Sequence, residues 1–341
     1  MTTSDRPSLG EGHTPVLELD AIASHCGVPG VWAKAEWMNP TGSYKDRIAS
    51  ATMRDALRRG ARGWVGTSSG NGGAAMSAYG ARAGLPGFLC VAADAPPEKL
   101  QSIVPYRTAM LPMSELGLAE MDAIGRLAVE YELKLAITAY RYNPDGMAGA
   151  EAIGHELADQ GSFTHVYVPT GGGGLLVAVA RGLAQATAQP PKVVCAQPAG
   201  CAPIARHIEG ALPAPQIDAC VSQISGLQLA APPDGVLAAE AVRRTGGWGC
   251  LVADGAAWDA QLLLARREGI FVEPAAALAV AAIIDDVDAG RLTASDRPVA
   301  LLTGTGLKDL RRFAPEPLDT HLRVDDLRAL LAATFGSPRD G

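Results

Sequence analysis

Lys45 is a candidate for covalent chemistry because its neighbours in the sequence could keep its amine neutral. The stretch from Asn39 to Arg47 reads NPTGSYKDR, a turn followed by the start of a predicted helix that runs to about Arg58. An amine forms an imine with an aldehyde only while it is unprotonated, and a helix N-terminus disfavours a protonated lysine. The stretch therefore predicts an imine-forming lysine, with an exposed first-turn lysine as an equal alternative from these residues alone.

A second stretch offers hydrogen-bond donors for a carboxylate. Residues 67–73 read TSSGNGG and connect a β-rich run to an Ala-rich predicted helix. Hydroxyls and free backbone amides at a helix N-terminus bind a carboxylate well, and an asparagine side chain there could also hydrogen-bond a phenolic oxygen. The candidate substrate-binding residues of this loop are Ser68, Ser69, Gly70, Asn71 and Gly72. By itself the loop is equally compatible with an ordinary glycine-rich turn.

Four consecutive glycines form a third candidate site. Gly171, Gly172, Gly173 and Gly174 follow an apolar run that ends near Val168 and precede an apolar predicted helix. Glycines leave the backbone N–H groups unobstructed, so this turn suits a phosphate group. The loop has neither the lysine of a Walker motif nor the GxGxxG dinucleotide pattern, which favours a single phosphate over a nucleotide.

Thr303 begins a fourth stretch, TGTGLKD, directly after the short apolar run from Val299 to Leu302. A hydroxyl here could hydrogen-bond a ring nitrogen, although a plain strand-ending turn is favoured when the stretch is considered alone. Together, the four stretches supply an imine lysine, a carboxylate loop, a phosphate loop and a ring-nitrogen hydroxyl, which form one coherent set.

The elements that must position this set alternate along the chain. Short β-rich runs, glycine turns and Ala-rich helices follow one another from Trp64 to Leu302, which predicts an α/β protein with parallel sheets. Ligands of such sheets bind beyond the carboxyl ends of the strands, where these glycine turns lie. The 341 residues suit about two domains, and one amphipathic helix is predicted from Val324 to Phe335.

Composition excludes several classes of protein. With 48% apolar and 19% charged residues the chain is expected to fold, and its net charge of −7 argues against nucleic acid or an anionic membrane as the main partner. No apolar run reaches membrane-spanning length and no signal-peptide pattern is present, so we expect a cytoplasmic location. The six scattered cysteines predict buried free thiols, with neither a zinc site nor disulfides, and no metal is expected. Glu268 and Glu273 are expected to cap helices or form salt bridges.

In type and in order, these stretches resemble the fold-type II, or tryptophan synthase β, superfamily of pyridoxal 5′-phosphate (PLP) enzymes. The similarity is strongest to threonine synthases and extends over roughly residues 8–312. The stretches that carry it are His13 to Val16 (HTPV, where the family usually has GTPL), the lysine motif from Asn39 to Arg47, Ser68 to Gly73, Glu268 to Pro274 (EGIFVEP) and Thr303 to Asp309. The lysine motif is the most specific of these, while the glycine loops gain weight by occurring together.

The resemblance implies a role for each stretch. Lys45 would hold PLP as a Schiff base and act as the general acid and base. Asn71 would contact the 3′ oxygen of the cofactor, Thr303 would contact its pyridine nitrogen, and Gly171 to Gly174 would bind its phosphate.

The same resemblance implies two domains, each an open and mostly parallel sheet flanked by helices. Residues 1–51 and 146–314 would form a large PLP-binding domain, and residues 52–145 a small mobile domain. The small domain would carry Ser68 and Ser69, which would hold the substrate carboxylate. Residues 315–341 would form a tail with one helix, and the family leads us to expect a homodimer.

One stretch departs from the threonine synthase pattern. Threonine synthases read the substrate phosphate with an N-S-x-N-P-x-R-x-E-G stretch, whereas residues 140–149 here read YRYNPDGMAG. Gly146 stands at the family arginine position. Arg141 is the cation nearest in sequence, which makes it a candidate substrate-binding residue. The Gly171 to Gly174 loop is more similar to that of serine/threonine dehydratases.

The expected activity is elimination or replacement at the β or γ carbon of an L-amino acid, as in a threonine synthase-like carbon–oxygen lyase. A neutral Thr303 hydroxyl does not protonate the pyridine nitrogen as a carboxylic acid would, which favours elimination over transamination. Serine/threonine dehydratase and cysteine synthase-type transferase activities remain alternatives. A PLP-binding regulator without turnover is the non-enzymatic alternative.

Overall fold

Strands and helices alternate along the chain in the computed structural model, which describes residues 7–93, 95, 100–313 and 323–336. The strands are β1 (Val16–Glu18), β2 (Trp32–Lys34), β3 (Trp64–Thr67), β4 (Gly87–Ala92), β5 (Ala109–Met113), β6 (Lys134–Leu135), β7 (His165–Pro169), β8 (Lys192–Pro198), β9 (Gly249–Val252) and β10 (Pro298–Leu301). The helices are α1 (Asp20–Cys26), α2 (Lys45–Arg58), α3 (Asn71–Ala83), α4 (Leu118–Glu130), α5 (Pro144–Ala148), α6 (Ala152–Gln160), α7 (Gly174–Ala186), α8 (Pro203–Ile208), α9 (Gly235–Thr245), α10 (Asp254–Leu263), α11 (Pro274–Asp288) and α12 (Val324–Phe335).

The strands form two sheets. The larger sheet has the order β1-β2-β10-β7-β8-β9 and is parallel except for the β1–β2 pair. The smaller sheet has the order β5-β4-β3-β6 and is parallel throughout. The predicted α/β class with mostly parallel sheets is therefore confirmed.

Helices cover both faces of the larger sheet. Along the central strand β7, Val166 and Val168 belong to the apolar cluster that includes α7, while Tyr167 between them belongs to the cluster that includes α11. Successive side chains of a strand point to opposite faces, so this division shows that neither face of β7 is exposed to water. A strand buried on both faces is almost continuously apolar, as β7 is.

The chain separates into two compact units, Met1–Lys308 and Asp309–Gly341. The second unit contains α12, whose bounds agree with the helix predicted from Val324 to Phe335. Residues 1–6 of the predicted large domain, and 314–322 and 337–341 at the other end, lie outside the described residues. The predicted boundaries at 51/52 and 145/146 stay predictions. Within the described part of the chain, no helix is long and apolar enough to cross a membrane.

The prediction of free thiols was wrong for two cysteines. Cys201 and Cys220 form a disulfide, whereas Cys26, Cys90, Cys195 and Cys250 are free. The two partners are 19 residues apart, and their spacing carries no recognisable motif. The fold joins them because the amide of Val221 donates to the carbonyl of Gly200 at 2.9 Å, which brings the two stretches side by side.

We expect the Cys201–Cys220 bond to stabilise the protein. A cross-link over a loop of this length contributes about 3 kcal/mol by restricting the unfolded chain. Replacing both cysteines with alanine should lower the free energy of unfolding by roughly 2–4 kcal/mol in urea titrations without reductant. With a strong reductant, native protein and variant should become similar in stability, and Cys26→Ala serves as the matched control. Equal stability without reductant would contradict the prediction.

Candidate active site

The turn before Lys45 is hydrogen-bonded to the loop that follows β10. The Tyr44 amide donates to the Thr303 carbonyl at 3.1 Å, and the Thr305 amide donates to the Gly42 carbonyl at 2.9 Å. Gly42 has a φ of +82°, and an added Cβ would lie 2.7 Å from the Thr305 side chain, so glycine is required at this position. These contacts place the start of α2 at the carboxyl end of the larger sheet.

Lys45 is the first residue of α2, and its amine reaches toward the smaller sheet. Nζ donates to Thr138 Oγ1 at 2.8 Å and lies 4.8 Å from the centre of the Tyr44 ring. Thr138 follows β6, and its methyl group is 3.7 Å from the position of a Cβ added to Gly72. The amine of Lys45 and the predicted carboxylate loop are therefore joined through one threonine.

The Ser68–Gly72 loop is a tight turn between β3 and α3 with free donors. The Gly70 amide donates to Ser68 Oγ at 3.2 Å, and a Cβ on Gly73 would lie 2.5 Å from the Ser68 carbonyl oxygen. No described residue accepts a hydrogen bond from the amides of Asn71, Gly72 and Gly73 or bonds the half-buried Ser69 side chain. Such amides at a helix N-terminus suit a carboxylate.

Asn71 is held between two charged side chains. Its Nδ2 donates to both Oε1 and Oε2 of Glu273 at 3.0 Å, and its Oδ1 accepts from Lys308 Nζ at 3.0 Å. The sequence assigned Glu273 only a capping or salt-bridge role and gave Lys308 none. In contrast, Glu268 accepts from the amides of Ala21 and Ile22 and caps α1, as expected.

The loop from Gly171 to Gly174 presents a row of unpaired backbone donors. Across the described residues, no acceptor is found for the amides from Gly171 to Leu176. Gly173 has a φ of +92°, and a Cβ there would lie 2.8 Å from the carbonyl oxygen of Asp234. A Cβ added to Gly171 would likewise lie only 2.9 Å from the carbonyl oxygen of Gly226. The packing therefore favours glycine at positions 171 and 173, and the donors of the loop are free for an anion within the described residues.

Thr303 lies at the same edge of the sheet as this glycine loop. It follows β10, whose parallel neighbour β7 leads into Gly171, and it is only 4% exposed. Carboxyl ends of neighbouring parallel strands meet at one edge, so Thr303, the glycine loop and the start of α2 are brought together.

Arg141 lies on a surface groove instead. Its guanidinium is 3.3 Å from Asp122 Oδ2 and stacks over the Tyr142 ring, and its side chain is 51% exposed. The same groove, about 590 Å³ in volume, is lined by Arg126 and Val129 of α4. These contacts give its predicted substrate role no support.

Burial shifts the charge balance of several groups near the site. It raises the pKa of Asp46 to about 6, although the Thr41 amide and hydroxyl donate to this carboxylate. It also raises the pKa of Asp234 and lowers that of Lys308. In each case the apolar surroundings disfavour the charged form, so an uncompensated charge here is costly.

Comparison with known proteins identifies the family. The sequence pattern described as Pyridoxal-phosphate dependent enzyme matches residues 7–304. The chain belongs to this family. Threonine synthase from Methanosarcina acetivorans is 29% identical over 97% of this chain and 84% of its own. In fold, the chain is similar to maize serine racemase, with a TM-score of 0.78 at 22% identity over 97% and 96% of the two chains. It is also similar to the processed form of threonine deaminase isoform 2 from Solanum lycopersicum, with a TM-score of 0.72 at 20% identity over 86% and 83%.

The residues present fit the family cofactor, PLP. A half-buried lysine at a helix N-terminus suits its aldehyde, and six successive unpaired amides from Gly171 to Leu176 suit its phosphate. Within the described residues, no cluster of three or more His, Cys, Asp and Glu side chains offers a metal site.

We predict that Gly172→Asp weakens PLP binding while keeping the fold. The new carboxylate would face a phosphate across the same amides, and the lost affinity should be about tenfold or more. Gly172→Ala is the matched control, because a Cβ there would meet Pro233 at an ordinary distance of 3.5 Å. Titration of both apoenzymes with PLP measures the difference. Equal affinity of the two variants would place the phosphate elsewhere.

Proposed function

We propose that this protein is a threonine synthase-like carbon–oxygen lyase that carries out elimination or replacement at the β or γ carbon of an L-amino acid. The observation that carries the proposal is the contact of Lys45 Nζ with Thr138, beside the amides of Asn71 and Gly72, which have no acceptor among the described residues. An amino acid whose carboxylate is bound by this loop has its α-carbon near the lysine amine.

The cofactor, when bound, supplies an electron sink for the α-carbon of an amino acid. Lys45 would bind its aldehyde and, once displaced by the substrate amine, remove the α-proton. Gly171 to Gly174 would hold the phosphate, Asn71 the 3′ oxygen and Thr303 the ring nitrogen. A neutral Thr303 hydroxyl does not protonate the pyridine nitrogen, so less negative charge would be delocalised from the α-carbon into the pyridine ring. This favours loss of a leaving group from the substrate.

Threonine synthases bind the substrate phosphate with a stretch that corresponds to residues 140–149 here. In this chain, hydrogen-bond donors of that stretch already bond to other acceptors. The amides of Tyr140 and Arg141 donate to the Asp234 carboxylate at 2.8 and 3.1 Å, and the Tyr140 hydroxyl donates to Glu151 at 2.8 Å. The side-chain amide of Asn143 donates to a hydroxyl of α2 at 2.8 Å. A phosphate here would have to displace these bonds and would meet two carboxylates.

Position 146 has no room for the family arginine. Gly146 is buried, and an added Cβ would lie 2.2 Å from Thr52 Oγ1 and 2.3 Å from Asn143 Nδ2. Its amide donates to Asn143 Oδ1 at 3.2 Å, which caps α5. The substrate is therefore proposed to be a serine- or threonine-type amino acid, free or O-activated, rather than O-phosphohomoserine. With such a substrate, serine/threonine dehydratase activity is the first of the alternative activities. A cysteine synthase-type transferase, which replaces the β substituent, is the second.

We propose a cytoplasmic homodimer with a mobile small domain at residues 52–145. The division is supported by the strands of the smaller sheet, which all lie between Trp64 and Leu135. The competing function is that of a PLP-binding regulator without turnover. An activity assay separates this regulator from the proposed lyase.

We expect borohydride reduction of the holoenzyme to attach PLP to Lys45, as peptide mapping would show. Lys45→Ala should lose the covalent adduct and at least about a hundredfold in turnover, since positioned acid–base groups contribute that much or more. Lys45→Arg keeps the charge but cannot form an imine, so it controls for folding and should be equally inactive. An adduct on another lysine would refute the assignment.

We also expect poor turnover of O-phosphohomoserine. One missing charge-assisted contact costs roughly 1.5–3 kcal/mol, or about tenfold to a hundredfold in affinity. Steady-state kinetics with O-phosphohomoserine, serine, threonine and their O-acetyl derivatives should show the highest kcat/KM in the serine and threonine group. A clear preference for O-phosphohomoserine would mean that Arg141 or another cation replaces the missing donor.

A further inference from the structure

Lys308 is a cation close to the candidate site, and the proposed chemistry assigns it no role. It ends the short 3₁₀ helix Gly306–Lys308, and its stem passes 3.5 Å from the position of a Cβ added to Gly42. Its amine donates to Asn71 Oδ1 at 3.0 Å. Burial lowers its pKa, while the nearby carboxylates of Glu273 and Asp46 favour its charged form.

The charges on either side of Asn71 determine which way its amide points. The amino group faces the Glu273 carboxylate, with both oxygens at 3.0 Å, and the carbonyl faces Lys308. If the amide turned over, its carbonyl oxygen would meet a carboxylate and its amino group would meet an ammonium. Both contacts would be repulsive, so the pair of charges selects one orientation.

We propose that Lys308 is a positioning residue that, together with Glu273, holds the Asn71 amide so that an N–H rather than the carbonyl oxygen faces the phenolic oxygen of the cofactor. The inference rests on the proposed contact between Asn71 and that oxygen. The two oxygens of one carboxylate lie close together, so a single bifurcated N–H of Asn71 can serve both Glu273 oxygens. A primary amide has two N–H donors that point in different directions, and the second then remains for the cofactor.

This arrangement has a consequence that can be measured apart from turnover. An N–H donor stabilises the deprotonated phenolic oxygen, whereas a carbonyl oxygen destabilises it. Lysine-bound PLP absorbs at longer wavelength when this oxygen is deprotonated. The ratio of the longer- to the shorter-wavelength band therefore reports the orientation of the Asn71 amide.

The test compares the absorbance of five holoenzyme variants with native protein across a pH series. Lys308→Met should lower the band ratio by about tenfold, the equilibrium shift of one charge-assisted hydrogen bond at the low end of its range. Lys308→Arg should restore most of the ratio, because it keeps the charge. Lys192→Met, which removes an exposed lysine at the amino end of β8, should leave the ratio unchanged.

The last two variants, Asn71→Ala with and without Lys308→Met, show whether Lys308 acts through Asn71. In an Asn71→Ala background, Lys308→Met should change the ratio by no more than about twofold, which is the usual tolerance of such double-mutant comparisons, because its effect requires Asn71. An unchanged ratio in Lys308→Met, or an equal loss with and without Asn71, would overturn the proposal. Thermal unfolding of the apoenzymes shows whether a variant is misfolded. A variant with the native unfolding temperature but a changed band ratio has a reoriented Asn71 amide. Native protein without any Lys45-dependent absorbance band would instead refute the proposed function itself.

Discussion

The active-site architecture depends on one buried guanidinium. Arg47, two residues after Lys45, donates to both oxygens of Glu36 at 2.7 and 2.8 Å and to Glu156 Oε1 at 2.6 Å. Lys34 donates to the other oxygen of Glu156 at 2.6 Å. Burial alone would raise the pKa of Glu156, but the bonds from the two cations lower it to about 2. Removing one partner from such a network leaves an uncompensated buried charge, which costs about 3–5 kcal/mol.

This network determines where Lys45 can lie. It joins five parts of the chain, namely the segment before β1, strand β2, the 3₁₀ helix Glu36–Met38, helix α2 and helix α6. Each bond has a defined direction, so α2 cannot rotate or slide without breaking several of them. With its first turn fixed to the larger sheet, α2 presents its first residue toward Thr138, which follows strand β6 of the smaller sheet. The lysine is thus positioned by contacts made two residues farther along its own helix.

The parts of the structure that depend on local sequence were predictable. Helix α2 starts at Lys45 and ends at Arg58, as predicted from the NPTG turn and the residues after it, and the glycine loops lie at helix N-termini as expected. Pairings between distant segments were not predictable, because they depend on tertiary contacts. The two partners of the Cys201–Cys220 disulfide are 19 residues apart. Asn71 is up to 237 residues from Glu273 and Lys308, to which it is hydrogen-bonded. No local sequence pattern indicates either pairing. Short strands such as β1 and β2 were missed for the same reason.

The distribution of cations around the candidate site supports the proposal that this acidic chain holds an anionic cofactor yet discriminates against a second phosphate. Arg47 and Lys34 are bound to carboxylates, and Lys308 is bound to Asn71. We therefore propose that backbone amides recognise the anions, since the amides from Gly171 to Leu176 and from Asn71 to Gly73 are unpaired within the described chain. Amides stabilise one phosphate and one carboxylate at two helix N-termini without adding net charge. A further dianion at the distal end of the substrate would meet amides of Tyr140 and Arg141 that are already bonded to Asp234, and the carboxylates of Asp234 and Glu151 would oppose it. The proposed selectivity for a small substrate thus follows from which donors the fold leaves unpaired among the described residues.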